Sequence, residues 1–136
     1  MVIKRHEISD VDRGVVLSPS GPLRTERAEG FREALDGECK GDTQNLIVDF
    51  GAVDYLDSTT LGHLLNAHDR MTKKGGSLIL AALSPDVRVV IDSIGLTSFF
   101  ALAPTVSEAE VILREGSDLG ITTTESDSDF GPLGLT

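Results

Sequence analysis

The sequence predicts an α/β fold with a mixed, mostly parallel sheet of about four or five strands and about four helices. Two near-continuous apolar runs, Leu46–Phe50 and Ser77–Ala82, are typical of strands buried on both faces, as in parallel sheets. A segment with helical periodicity follows each run, so strands and helices alternate after an opening hairpin. The expected order of elements is β-β-α-β-α-β-α-β-α.

The opening hairpin is predicted from two short segments. Residues 2–8 alternate in character along the chain, and Val15-Val16-Leu17 is a run rich in β-branched residues. Asp12-Arg13-Gly14 lies between them and is a turn signal. The two segments are therefore expected to pair as neighbouring strands.

The first helix is expected to begin near Thr25, because apolar residues from Ala28 to Leu35 recur at helical spacing. Gly37 is interpreted as its end, which leaves Cys39 in a loop. A single cysteine excludes an internal disulfide, and we interpret this thiol as structural or incidental.

The second helix is predicted from Ser58 to Lys74, where Gly75-Gly76 ends it. His68 falls on its apolar face and is expected to be partly buried. His63 lies five residues earlier, on a different face, so the two histidines make a poor metal site. The sequence has no phosphate-binding glycine motif and no C-x-x-C or H-E-x-x-H, so we expect no metal and no cofactor.

The last elements are marked by capping residues. Ser84-Pro85 is typical of a helix start, and this helix is expected to stop at Gly95. Residues 99–102 predict a short final strand. Thr105 is then expected to cap a last helix.

The charge of the chain limits its partners. Its 136 residues carry a formal charge of −10, which disfavours nucleic acid and anionic membranes and favours proteins with basic surfaces. No apolar run approaches the roughly 20 residues that span a membrane, and no leader is evident, so a cytoplasmic location is expected. Residues 116–136 have four acids and no Lys or Arg; we interpret 1–115 as one domain and 116–136 as a disordered acidic tail.

Ser58 stands at a strand-to-helix junction, the place of a hydrolase nucleophile elbow. The flanking glycines of that motif are missing and no base is evident, so catalysis is disfavoured. Simple N-capping by Asp57-Ser58-Thr59 is one interpretation. Another is phosphorylation, since a helix N-terminus tolerates a phosphoryl group. The added charge would lower the affinity of a partner that binds the neutral surface, by repulsion and by the cost of desolvating the phosphoryl group.

Several segments together resemble the STAS domain of bacterial anti-sigma factor antagonists. The likeness is closest over residues 46–100 and extends, more weakly, over 2–115. The segments that carry it are Leu46-Ile47-Val48-Asp49-Phe50, Val53-Asp54-Tyr55-Leu56-Asp57-Ser58-Thr59, Leu61-Gly62, Gly75-Gly76-Ser77-Leu78, Leu83-Ser84-Pro85-Asp86-Val87-Arg88 and Ile94-Gly95-Leu96.

The resemblance implies a single STAS-like domain that is not an enzyme. Such an antagonist binds an anti-sigma factor serine kinase when unphosphorylated and is released when the serine of the D-S motif, here Ser58, is phosphorylated. A PP2C-type phosphatase resets it. The expected partner surface consists of the positions around that serine: Arg24, Asp57, Ser58, Thr59, Gly62 and Asn66, with Asp69 or Arg70 farther along the helix.

Two residues depart from the family pattern. The family usually has glycine at the position of Thr60, so Thr60 adds bulk beside the switch, and Thr59 and Thr60 become alternative phosphoacceptors. The family usually has an acid at the position of Arg24; an arginine near Ser58 would favour the phosphorylated state. Both departures favour the alternative, a STAS scaffold or accessory subunit of a signalling or lipid-transport complex. An enzyme or small-ligand binder is the third possibility.

Overall fold

A five-stranded sheet is the centre of the computed structural model, which describes residues 3–24, 28–93, 95 and 99–119. The strands are β1 (Ile3–Glu7), β2 (Gly14–Pro19), β3 (Asn45–Asp49), β4 (Ser77–Ala81) and β5 (Ala101–Ala103). The helices in these ranges are α1 (Ala28–Lys40), α2 (Ser58–Lys73), α3 (Pro85–Ser93) and α4 (Val106–Leu119). The predicted order of elements is confirmed.

The strands lie side by side in chain order, from β1 at one edge to β5 at the other. β1 pairs with β2 antiparallel, as expected of a hairpin, and the remaining neighbours pair parallel. In the central register Leu46 lies between Val15 and Leu78. The mixed, mostly parallel sheet predicted from the sequence is therefore confirmed.

Helices cover both faces of the sheet, which explains the continuous apolar strands. Leu46 and Val48 face a core shared with α1, α2 and α3, whereas Ile47 between them faces a second core shared with α4. Successive side chains of a strand point to opposite faces, so all the side chains of a strand that is covered on both sides are buried and apolar residues are favoured at every position.

The predicted end of α1 is wrong. The helix continues through Gly37 to Lys40, and Cys39 is buried inside it rather than placed in a loop. Lys74 explains the extension, because its Nζ donates to the carbonyl oxygens of Cys39 and Gly41 at 3.0 and 3.2 Å and so satisfies the end of the helix. The predicted start near Thr25 lies outside the described residues.

The caps of the last two helices are as predicted. Ser84 Oγ accepts from the Val87 N–H at 3.2 Å, and Thr105 Oγ1 accepts from the Glu108 N–H at 3.1 Å. α4 continues to Leu119, four residues into the segment that we interpreted as tail. Residues 120–136 lie outside the described residues, so the disordered tail stays a prediction. Strand β5 begins at Ala101, two residues later than predicted.

None of the helices in the described part of the chain is both long and apolar enough to cross a bilayer. This finding concerns only those residues.

Candidate functional site at the start of helix α2

Asp57, not Ser58, caps helix α2. Asp57 is extended, with φ −100° and ψ 174°, and its Oδ1 accepts from the Thr60 N–H at 3.0 Å. Its own carbonyl accepts from the Leu61 N–H at 3.0 Å. These bonds satisfy the Thr60 and Leu61 amides, so the capping interpretation holds for Asp57 and leaves Ser58 as the first helical residue.

The Ser58 side chain is exposed at this first helical position. Among the described residues, none exchanges a side-chain hydrogen bond with its hydroxyl. The N-terminal end of a helix carries a partial positive charge, which stabilises an anion in the first turn. The geometry therefore offers an accessible hydroxyl at a place where an added phosphoryl group would not disrupt the helix.

Thr60 lies on the opposite side of the same turn and is fully buried, with an exposed fraction of 0%. Its Oγ1 lies 3.1 Å from the Leu23 carbonyl oxygen and 3.0 Å from Asp57 Oδ1. A side chain in this position adds no bulk to the surface, contrary to our expectation. It also offers no hydroxyl to solvent, whereas Ser58 and Thr59 are both exposed.

Helical spacing could have predicted the burial of Thr60. Thr60, Leu64, Ala67 and Met71 follow one another at intervals of four, three and four residues, and all four are buried. That interval is the signature of one helix face. This signal is easily missed, because Thr60 follows three polar residues and resembles part of a polar surface motif.

The segment of residues 20–24 lies alongside the entry to α2. It extends the parallel pairing beyond β2 and β3, with bridges from Ser20 to Ala52 and from Leu23 to Leu56. The Asp57 N–H donates to the Leu23 carbonyl at 3.1 Å. Arg24 follows Leu23 directly along the chain, so its backbone lies near the entry to α2.

The Arg24 side chain is exposed and stacks on an aromatic ring. Its guanidinium carbon lies 5.3 Å from the centroid of the Tyr55 ring, within the range of a cation–π contact. Tyr55 is itself 46% exposed, which is high for so large an apolar ring. Arg24 and Tyr55 thus form an exposed pair beside the first turn of α2.

One face of α2 continues this surface. Gly62 and Asn66 follow Ser58 at four-residue intervals, and all three are exposed. Apart from the surrounding helix backbone, no heavy atom of the described residues lies within 4 Å of the position where a Gly62 side chain would begin, so the backbone is open to a partner there. We call Ser58, Gly62 and Asn66 the α2 face.

Of the two predicted continuations of this face, Asp69 is exposed and Arg70 turns towards α1. Arg70 Nη1 lies 2.6 Å from Asp36 Oδ1, and Lys40 Nζ lies 2.9 Å from Asp36 Oδ2. Hydrogen bonds from Lys40 and Arg70 lower the pKa of the Asp36 carboxyl to about 2. Arg70 is thus part of the contact between α1 and α2.

His68 packs against two aromatic rings. His68 is partly buried, as predicted, and its ring centroid lies 4.5 Å from that of Phe99 and 5.6 Å from that of Phe100. Within the described ranges, no group of three or more His, Cys, Asp or Glu side chains is arranged to hold a metal ion.

Comparison with known proteins identifies the family of the fold. A family model for the STAS domain matches residues 3–109, which is most of the chain and contains both the α2 face and the segment of residues 20–24.

Individual relatives carry related names. BtrV of Bordetella bronchiseptica, named as a candidate anti-sigma factor antagonist, is 26% identical over 93 residues, covering 68% of this chain and 80% of BtrV. An anti-sigma factor antagonist from Mycobacterium paratuberculosis has a crystal structure with a TM-score of 0.75 and 25% identity, covering 83% of this chain and 93% of that one. The anti-sigma factor antagonist SpoIIAA in its unphosphorylated form shares the fold, with a TM-score of 0.69 and 23% identity over 90% of this chain and 100% of SpoIIAA.

Proposed function

Since the chain belongs to the STAS domain family, we propose that it is an anti-sigma factor antagonist controlled by phosphorylation of Ser58. In its unphosphorylated form it binds an anti-sigma factor that is also a serine kinase, so that a sigma factor is freed. Phosphorylation of Ser58 by that kinase ends the complex, and a PP2C-type phosphatase restores the hydroxyl. The proposal implies a cytoplasmic protein that regulates transcription through its partners.

The observation that carries the proposal is the exposed Ser58 hydroxyl in the first turn of α2. Asp57 has already satisfied the helix cap, so Ser58 is not needed for that purpose. Gly62 beside it lets a partner backbone come close. The names of BtrV and of the M. paratuberculosis relative support the antagonist role.

In the proposed transfer, Ser58 Oγ attacks the γ-phosphorus of ATP held by the kinase. An O–P bond forms, the bond to the β-phosphate oxygen breaks, ADP leaves, and the hydroxyl proton passes to a base of the kinase. The chain acts only as substrate, and its contribution is to hold the hydroxyl outward on a rigid helix. The product carries about −1.5 to −2 charges at that point.

The direct test is incubation of the full chain with its cognate kinase and ATP, followed by mapping of the phosphate by mass spectrometry. We expect one phosphate on Ser58, and none after Ser58→Ala. Transfer to Thr59 instead would move the switch by one exposed residue. A chain that binds the partner but accepts no phosphate at either position would favour the scaffold or accessory-subunit alternative.

A second prediction concerns Gly62. Gly62→Ala should weaken binding of the unphosphorylated chain to the kinase by about tenfold, because the methyl group holds the partner away from the α2 face. The same change should not harm the fold, since the new methyl meets no neighbour and alanine favours the helix by roughly 0.5–1 kcal/mol.

Gly37→Ala is the matched control for Gly62→Ala. Gly37 is also exposed and within a helix, and beyond the helix backbone none of the described heavy atoms lies within 4 Å of its added methyl. Both variants should gain similar stability in urea unfolding, and only Gly62→Ala should lose affinity in calorimetry. Equal affinity of the two variants would place the partner elsewhere.

A further inference from the structure

The Thr60 hydroxyl has one proton and two acceptors. Asp57 Oδ1 and the Leu23 carbonyl oxygen lie 3.0 and 3.1 Å from Oγ1, and carboxylate and carbonyl oxygens only accept hydrogen bonds. The hydroxyl is fully buried, so water does not supply a substitute. The proton must therefore be shared between the cap of α2 and the segment of residues 20–24, or alternate between them.

We propose that Thr60 is a positioning residue that couples the charge on Ser58 to the segment of residues 20–24, through the partition of this one proton. The proposal rests on the proposed function, because it describes how phosphorylation of the same site is transmitted. It assigns to Thr60 neither the role of phosphoacceptor nor that of surface contact.

The coupling follows from electrostatics in the first turn. A phosphoryl group on Ser58 repels the neighbouring Asp57 carboxylate and competes with it for the Thr60 N–H. As the repelled Asp57 carboxylate moves away from the Thr60 hydroxyl, the shared proton turns towards the Leu23 carbonyl oxygen. The carbonyl of Leu23 is then held more firmly. Arg24, the next residue of the segment, and the Tyr55 ring on which it stacks are held more firmly as a result.

Thr60→Val removes the hydroxyl while nearly keeping the shape of the side chain. It leaves neither acceptor without a donor: the Leu23 carbonyl keeps the Asp57 N–H at 3.1 Å, and Asp57 Oδ1 keeps the backbone N–H at position 60. The variant therefore should fold, since no buried polar group is left unpaired. Thr60→Ser keeps the hydroxyl and serves as the conservative variant.

The test is hydrogen exchange of the Leu23 and Asp57 amides, which join this segment to the entry of α2. Three chains are used: the unchanged chain, Thr60→Val and Thr60→Ser. Each is prepared in two forms, with serine and with phosphoserine inserted at position 58 during synthesis, and the two forms are compared. In the unphosphorylated chain, Thr60→Val should speed exchange of both amides about fivefold, the loss of one typical hydrogen bond. Phosphoserine should slow them about threefold when the hydroxyl is present.

The coupling is overturned if phosphoserine slows the two amides equally with and without the hydroxyl, or leaves them unchanged in the unaltered chain. Retention of the effect in Thr60→Ser and its loss in Thr60→Val would support it. Because the phosphoserine is installed without a kinase, the result is independent of whether the proposed partner exists. A negative result here likewise leaves Ser58 free to be a phosphoacceptor.

Discussion

Ser58→Asp is expected to weaken the complex with the kinase at least tenfold, the largest effect on function of any single change considered. A complex competent for transfer must bring Ser58 Oγ in line with the γ-phosphorus of ATP. A carboxylate at position 58 would then lie within a few ångströms of the triphosphate, in an interface from which water is largely excluded. Bringing like charges close together in such an interface reduces the binding free energy by several kcal/mol. Authentic phosphoserine should weaken the complex more, because its charge is larger.

The measurement is the affinity of the kinase for the two forms by calorimetry, with ATP, with ADP and without nucleotide. The loss for Ser58→Asp should be greatest with ATP, since the γ-phosphate is the nearest like charge. Ser58→Ala should bind as the unchanged chain does and should not dissociate on incubation with ATP.

Ser9→Asp is the control for charge alone. Ser9 is exposed in the turn between β1 and β2, near the N-terminal ends of the parallel strands. Ser58 follows β3 along the chain and lies beyond the C-terminal ends of these strands. The same added charge there should leave the affinity within twofold of the unchanged chain. Equal losses for the two aspartate variants would mean a nonspecific effect of net charge, and no loss for Ser58→Asp would remove Ser58 from the interface.

The parts of the fold that depend on local patterns were predictable. The alternation of apolar strands and helical segments predicted the element order and the mostly parallel sheet. This was possible because a strand buried on both faces is almost entirely apolar, which is visible in the sequence. Ser84 and Thr105 were recognised as caps, because a cap acts on amides only three residues away. The position of Ser58 at the start of α2 follows from the same local reasoning.

The features that were missed depend on residues far apart in the chain. Helix α1 continues past Gly37 because Lys74, more than 30 residues later, donates to its last carbonyls. Glu38 in that last turn is 8% exposed and is paired with Arg5 Nε at 2.6 Å. No local pattern contains this information, since a glycine followed by a charged residue is also a common helix end.

Thr60 shows the same limit at the candidate site. Its burial was visible in the helical spacing, but its partner was not, because the Leu23 carbonyl lies 37 residues earlier. The parallel bridges that extend β2 and β3 bring the two together. The position of Ser58 at the start of α2 was thus predictable, whereas the residues that hold the surrounding segment in place were not.

Gly76 closes a second long-range junction, where the end of α2 meets the segment before β3. The Gln44 carbonyl accepts from the Ser77 N–H at 2.9 Å, and Gln44 Nε2 donates to the Lys74 carbonyl at 2.9 Å. A side chain at position 76 would overlap the Gln44 carbonyl oxygen itself. Because backbone fixed by hydrogen bonds on both sides cannot yield as a flexible side chain would, this position requires glycine.

Gly76→Ala is therefore expected to destabilise the chain by about 3 kcal/mol, or about 10 °C in melting temperature, the largest structural effect predicted here. Gly75→Ala is the neighbouring control: it meets only Gln44 Nε2 at 3.6 Å and should cost about 1–2 kcal/mol, because its φ of +78° lies in the left-handed region. Urea unfolding of both variants, with Gly37→Ala as the unstrained reference, measures the three values. If the Gly76→Ala chain were no less stable than the Gly75→Ala chain, the Gln44 carbonyl would be able to move. The junction would then not hold α2 in a fixed position on the sheet, and the α2 face would not be fixed either.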